Sequence, residues 1–307
     1  MGRGIQFYNR YTGKIETEPI CGEWFIRLAY GTFLGRLLQR LIFGRPFFSR
    51  IAGWYANRPT SAKKIQPFVE RYAISIDEIL SDISHFESFN EFFCRQLKPG
   101  VRQIAPGRNK VVAPCDGRYF FIPNLDARRK ISIKGRQICL KRLVGDEELA
   151  EKFYGGSALI GRLCPMDYHR FHFPCDGIPS KAKHDGDWLH SVHPLALQHI
   201  SVFGKNKRML TRVVTFAGEM LIFEVGAMFI GSIYQTYTPH RHVKKGAEKG
   251  FFSFGGSTVI LIFAPNAFTP CGDIQQLSGR DLETYIRMGD HVGNFIPACR
   301  QREQSIS

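Results

Sequence analysis

The pattern of apolar and polar positions changes character near residue 105. Before it, apolar residues recur at helical spacing. Tyr30, Phe33, Leu34, Leu37, Leu38 and Leu41 share one helical face, Thr32, Arg36, Gln39 and Arg40 lie opposite, and Pro46 ends the run. A second amphipathic piece, PFFSRIAGWY, follows, and the pattern predicts more helix from Ile65 to about Pro106, closing on Pro99-Gly100. Ahead of all this, Ile5, Phe7 and Tyr8, a Thr12-Gly13 turn and Ile15 predict a small hairpin. From Lys110 onward the rhythm is different: short apolar runs such as VVAPCDGRYFFIPN and STVILIF alternate with turn signals. They predict a β-rich region, interrupted by one helix at GDEELAEKFY. The expected fold is α+β, with a helical region over 1–105 and a β-rich domain over 106–307.

Charge gives the first region a purpose. From Trp24 to Lys64 the chain carries Arg27, Arg36, Arg40, Arg45, Arg50, Arg58, Lys63 and Lys64 and no acidic residue, within a net charge of +15. A basic amphipathic helix flanked by aromatics reads as a segment lying in a membrane interface, with Trp24, Phe33, Leu34, Leu37, Leu38 and Leu41 as the membrane-contacting side chains. An ordinary helix packing its apolar face on the core reads the same way, so charge alone leaves both open. Nucleic acid is not the expected partner, since no RNP-like motif, zinc finger or helix-turn-helix pattern appears. No stretch offers the roughly 20 apolar residues of a membrane span. Eight cysteines without a Cys-x-x-Cys, and no apolar signal at the start, predict reduced thiols in a cytoplasmic setting.

Three short clusters carry candidate chemistry. Asp116 precedes Gly117 in APCDGRY, which alone reads as a turn. His169 and His172 stand in PMDYHRFHFPCDG; without further ligands at recognisable spacing, no metal is expected. Gly255-Gly256-Ser257-Thr258 interrupts an apolar strand pattern, which alone reads as a bulge. Together they supply an aspartate, histidines and a serine, the parts that activate a hydroxyl. Gly-Gly-Ser-Thr is not the Gly-x-Ser-x-Gly elbow of the α/β-hydrolases. The nearest electrophile to Ser257 is the carbonyl of Gly256, whose missing Cβ tolerates a strained approach. Attack there turns the amide into an ester, and β-elimination followed by hydrolysis leaves a pyruvoyl group.

The blocks KKGAEKGFFSFGGSTVILIF, DYHRFHFP, Asp116-Gly117 and FNEFFCRQLKPGVR, with NRYTGK and MGDHVG near the two ends, together resemble the phosphatidylserine decarboxylase family. Gly255 departs from the Leu-Gly-Ser-Thr usual in that family. The resemblance implies a self-processing proenzyme cut between Gly256 and Ser257 into chains 1–256 and 257–307, which stay together as a heterodimer, itself open to dimerisation. It implies Ser257 as nucleophile and precursor of the covalent pyruvoyl cofactor, and His172 as its base, oriented by Asp116. His169 would serve decarboxylation. The expected activity is conversion of phosphatidylserine to phosphatidylethanolamine and carbon dioxide through a Schiff base, in phospholipid biosynthesis. The partners are an anionic phospholipid and the membrane surface, with the enzyme peripheral on the cytoplasmic side of the cell membrane. The VKKGAEKGFF turn resembles those of hybrid-motif barrels, so the catalytic domain is expected to be a barrel or sandwich of that kind. Alternatives remain: a pyruvoyl-dependent amino-acid decarboxylase, a membrane-associated Ser–His–Asp lipid hydrolase, and a non-enzymatic peripheral membrane or nucleic-acid-binding protein.

Overall fold

The structure, a computed structural model, describes residues 5–19, 53–125, 131–133, 136–186, 206–226, 232–253 and 257–296. In chain order the strands begin with β1 (Gln6–Asn9), β2 (Lys14–Thr17), β3 (Lys110–Val112), β4 (Gly117–Ile122), β5 (Ile131–Ile133), β6 (Arg136–Ile138), β7 (Ser157–Leu163), β8 (Arg170–His172) and β9 (Ile178–Pro179). They continue with β10 (Lys183–Asp185), β11 (Arg208–Thr215), β12 (Gly218–Gly226), β13 (Ile233–Gln235), β14 (Glu248–Phe252), β15 (Ser257–Phe263), β16 (Phe268–Pro270), β17 (Glu283–Ile286) and β18 (His291–Phe295). The α-helices with both ends among these residues are α1 (Ile65–Tyr72), α2 (Phe89–Phe93), α3 (Leu140–Val144), α4 (Glu147–Glu151) and α5 (Gly272–Gly279).

A 10-stranded sheet runs in the order β10-β11-β12-β15-β7-β4-β17-β1-β2, with β9 beside β11. Its strands pair antiparallel except β1, which lies parallel to β17 with Phe7 opposite Glu283. The predicted hairpin is therefore β1–β2, and it extends this sheet. The central strands β7 and β15 are buried at every position, which is why their sequences read as continuous apolar runs. Side-chain alternation sorts them into two cores. Val259, Leu261 and Phe263 join Leu159 and Ile222 on one face, whereas Ile260 and Ile262 join Ile160 and Phe223 on the other.

The first core also takes Phe171 and Phe252 from the sheet β13-β14-β8, and Phe268 and Phe295 from the sheet β16-β18-β3. The second is covered by α3 and α4 through Leu140, Leu143 and Leu149. The single helix expected at GDEELAEKFY starts after a break. Gly145 turns left-handed at φ 69° to end α3, and Asp146 caps α4 by accepting from the Leu149 N–H at 3.1 Å.

Two expectations need correction. The stretch from Ile65 to Pro106 is not one helical run but α1, α2 and short 3-10 turns. Ala73 ends α1 in the left-handed region at φ 49°, and Ser88 starts α2 by accepting from the Glu91 N–H at 3.2 Å. These pieces form their own core around Ile65, Val69, Phe89, Phe92 and Phe93. Nor do the described strands close into a barrel: β10 and β2 stand at opposite ends of an open path. The two three-stranded sheets instead cover one face of the large one. The interfacial helix expected around Phe33 to Leu41, with Trp24, lies outside the described residues. Among the described residues no helix is long and apolar enough to cross a membrane.

Candidate active site

Ser257 is the first residue of β15, opposite Gly226 on β12 and Leu163 on β7. Alternation puts its side chain on the face of Val259 and Leu261, toward the layer that carries the histidines. Ser257 is fully buried, and its Oγ has no hydrogen-bond partner among the described residues. A buried hydroxyl left unsatisfied costs about 1–3 kcal/mol, so it persists where chemistry needs it free. Gly256 lies outside the described residues.

The segment before it is anchored to the histidine loop, because the Phe252 N–H donates to the His169 carbonyl at 3.0 Å. His169 is itself fully buried. Its Nδ1 lies 2.9 Å from the Asp167 carbonyl, which can only accept, so Nδ1 carries the proton and Nε2 keeps a free lone pair without a partner. The Phe93 ring covers it at 3.8 Å between centroids. Burial, aided by the nearby Arg95 cation, holds its pKa down at about 3. His172 is held down at about 4 by burial, against the pull of Glu248 and Asp116. Its Nδ1 has no partner, and its Nε2 stands 3.4 Å from the Tyr168 hydroxyl. Both imidazoles are thus neutral near pH 7, each with one ring nitrogen unprotonated.

Asp116 is brought close but not into contact. Its loop meets His172 through the backbone, where the His172 N–H donates to the Pro114 carbonyl at 2.7 Å. The buried carboxylate, however, accepts from Arg102 Nε at 3.1 Å and Nη2 at 2.7 Å, and from the Met288 N–H at 2.7 Å. No Asp116–His172 hydrogen bond forms, so the orientation expected of Asp116 is not exerted by direct contact. The reason is that a buried carboxylate takes the best-matched donor, and the Arg102 fork supplies two at once.

Sequence reasoning missed Phe93, Arg95 and Arg102 as site residues. All three stand in FNEFFCRQLKPGVR, which caps the histidine loop: Arg95 Nη2 donates to the Met166 and Asp167 carbonyls at 3.1 and 3.2 Å, and Arg170 Nε donates to the Cys94 carbonyl at 2.9 Å. Their placement follows from tertiary packing, and nothing in local periodicity distinguishes the two arginines from surface ones. A cavity of about 410 Å³ adjoins them, with Arg95, Arg102, Asp116, Arg118, Tyr168 and Arg287 in its walls. Among the described residues no group of three or more His, Cys, Asp or Glu side chains could hold a metal ion.

Neutral buried imidazoles and a partnerless serine hydroxyl in one layered core are the equipment of an enzyme, not of a passive binding module. The model of the phosphatidylserine decarboxylase family matches residues 89–294. A phosphatidylserine decarboxylase proenzyme of Chlamydia pneumoniae is 43% identical over 290 residues, 94% of this chain and 96% of its own. One from Chlamydia felis is 42% identical over 294 residues, 95% and 98% of the two chains. The chain belongs to the phosphatidylserine decarboxylase family.

Proposed function

We propose that this chain decarboxylates phosphatidylserine to phosphatidylethanolamine and carbon dioxide after cutting itself between Gly256 and Ser257. The observation that carries this reading is the buried Ser257 hydroxyl without a partner at the head of β15, in a chain whose relatives are named proenzymes. Ser257 Oγ attacks the Gly256 carbonyl carbon, and its proton passes through the neutral His172 to the departing amide nitrogen, leaving an ester. Elimination across Cα–Cβ of Ser257 frees the Gly256 carboxylate. Water then displaces the nitrogen as ammonia, so that chain 257–307 begins with a pyruvoyl group. The surroundings fit such a group, since β15 is buried throughout and the nearby imidazoles are uncharged.

That group would supply a ketone for the substrate amine and take up the electron pair left on the substrate carbon when carbon dioxide departs. The protein residues do the rest. His169, with Nδ1 committed to the Asp167 carbonyl, presents Nε2 to place the substrate carboxylate or relay the proton that replaces it. Asp116 acts on His172 through its charge. The two chains stay together as a heterodimer because β15, in the smaller chain, hydrogen-bonds to β12 and β7 of the larger on both sides. By family analogy that heterodimer pairs with a second copy.

The substrate is an anionic lipid, so the enzyme works on a membrane surface, on the cytoplasmic side of the cell membrane. Trp54 is 58% exposed with Arg58 stacked over it at 3.7 Å, and Lys64 lies over the exposed Tyr55 ring at 4.4 Å. Aromatics paired with cations at the end of the basic Trp24–Lys64 segment suit the headgroup boundary. Intact-mass spectrometry under denaturing conditions tests the self-cleavage. The expected result is two chains split after Gly256, the smaller blocked by a pyruvoyl, both lost in Ser257→Ala. An unmodified full-length chain in protein that turns over phosphatidylserine would overturn it.

A further inference from the structure

Four arginines stand in the cavity wall, and three have a carboxylate within reach. Arg102 bonds Asp116 and Glu78, at 2.7 and 2.9 Å. Arg118 pairs with Asp167 and lies 3.4 Å from Glu18. Arg287 lies 3.9 Å from Glu78. Arg95 is the exception. It is 4% exposed and is held by the Met166 and Asp167 carbonyls through Nη2 alone, with the Phe92 ring at 5.0 Å. Among the described residues its Nε and Nη1 are buried with no acceptor, and the Asp116 and Asp167 carboxylates act on it only from beyond ion-pair distance. An unpaired buried cation is costly, and native folds keep one chiefly where a ligand completes it.

Its position relates the cavity to the chemistry. The Asp167 carbonyl accepts from both Arg95 Nη2 and His169 Nδ1, so one oxygen ties the arginine to the histidine of the proposed site. We infer that Arg95 is the seat of an oxyanion, and that within the proposed reaction this is the phosphodiester of the phosphatidylserine headgroup. The carboxylate is the poorer occupant for a chemical reason. A guanidinium fork on it would stabilise the negative charge that must flow out of the carboxylate as neutral carbon dioxide forms, and so oppose decarboxylation. Held on the phosphate, the same cation binds ground state and transition state alike and acts on affinity. The inference rests on the decarboxylase reading, and Arg95 is on this view a substrate-positioning residue.

The test compares wild type with Arg95→Gln and Arg95→Lys in three readouts: self-cleavage by intact mass, turnover of dispersed short-chain phosphatidylserine, and thermal stabilisation by glycerophosphate, inorganic phosphate and L-serine. Arg95→Gln is expected to cleave normally, with KM raised on the order of 10- to 100-fold and kcat within about threefold, and Arg95→Lys to recover part of the loss. Glycerophosphate is expected to stabilise wild type but not Arg95→Gln, and L-serine to stabilise neither. An unchanged KM, or a fall in kcat at constant KM, overturns the assignment. Stabilisation by inorganic phosphate equal to that by glycerophosphate would make the seat one for free phosphate and overturn the headgroup. Should Arg95→Gln fail to fold, competitive inhibition of wild type decides: glycerophosphate stronger than L-serine supports the seat, and the reverse order overturns it. An uncleaved, inactive wild type that still binds glycerophosphate would sink the decarboxylase reading alone. A cleaved, active one that does not bind it would sink the seat alone.

Discussion

Lys249 and Glu224 form a fully buried ion pair whose disruption should unfasten the proposed cleavage segment. Lys249 is the extra residue of a β-bulge, because the β14–β8 register slips between Glu248, opposite His172, and Gly250, opposite Phe171. The bulge aims its side chain inward, where Nζ sits 2.9 Å from Glu224 Oε1 and donates to Gln235 Oε1 at 2.7 Å. Gln235 returns a bond to Glu224 Oε2 at 2.8 Å, and the rings of Phe171, Phe173 and Tyr237 surround the ammonium at 5.0 to 5.9 Å. Glu224 faces Val259 across the β12–β15 ladder, so the pair ties the strand before Ser257 to the neighbour of the strand that begins with it.

Both ions are fully buried, and removing one partner strands the other: Lys249→Met should cost about 3–5 kcal/mol. Lys249→Met with Glu224→Leu removes both charges and should recover most of that loss, since an apolar replacement of a buried pair is near neutral. The assay is urea unfolding of these variants in the uncleaved Ser257→Ala background, with self-cleavage followed by intact mass in the Ser257 background. Slow cleavage in the single variant that recovers in the double would show that the pair sets the register. A single variant within about 1 kcal/mol of its parent would refute the reasoning, because the bulge would then hold the register without the pair.

Three further outcomes follow from the same geometry. His172→Ala should abolish self-cleavage, whereas His169→Ala should still cleave but lose about 10²- to 10⁴-fold in turnover; intact mass and a carbon dioxide release assay separate the two. Stability should fall on acidification, since His172 stays neutral down to about 4 in the fold but takes a proton near 6.5 when unfolded. Its share is fully present above pH 6.5, is lost progressively as pH falls toward 4, and amounts to about 3 kcal/mol; His172→Gln in the Ser257→Ala background should flatten that slope in urea melts. Gly250→Ala should unfold the small sheet, because the added Cβ would meet the Tyr234 carbonyl at 2.0 Å; near-UV circular dichroism should show the loss of aromatic packing.

The sequence by itself determined the elements whose signal is local. The Thr12-Gly13 hairpin, the strand rhythm after Lys110 and the apolar run of β15 were legible because turn residues and short apolar runs leave their mark within a few positions. Ser257, His169 and His172 were singled out by the motifs around them, and their roles belong to the proposed function. The tertiary structure alone decided what depends on partners far apart in the chain. It gave Asp116 to Arg102 rather than to His172, buried Arg95 with no counter-ion in contact among the described residues, and opposed Lys249 to Glu224. It also returned β1 to pair with β17, and left the large sheet open at β10 and β2 instead of closing it. The physical reason is common to these cases. Which donor a buried charge finds, and which edge a strand meets, is settled by competition among all groups that packing brings together, and a sequence window holds only one side of each pair.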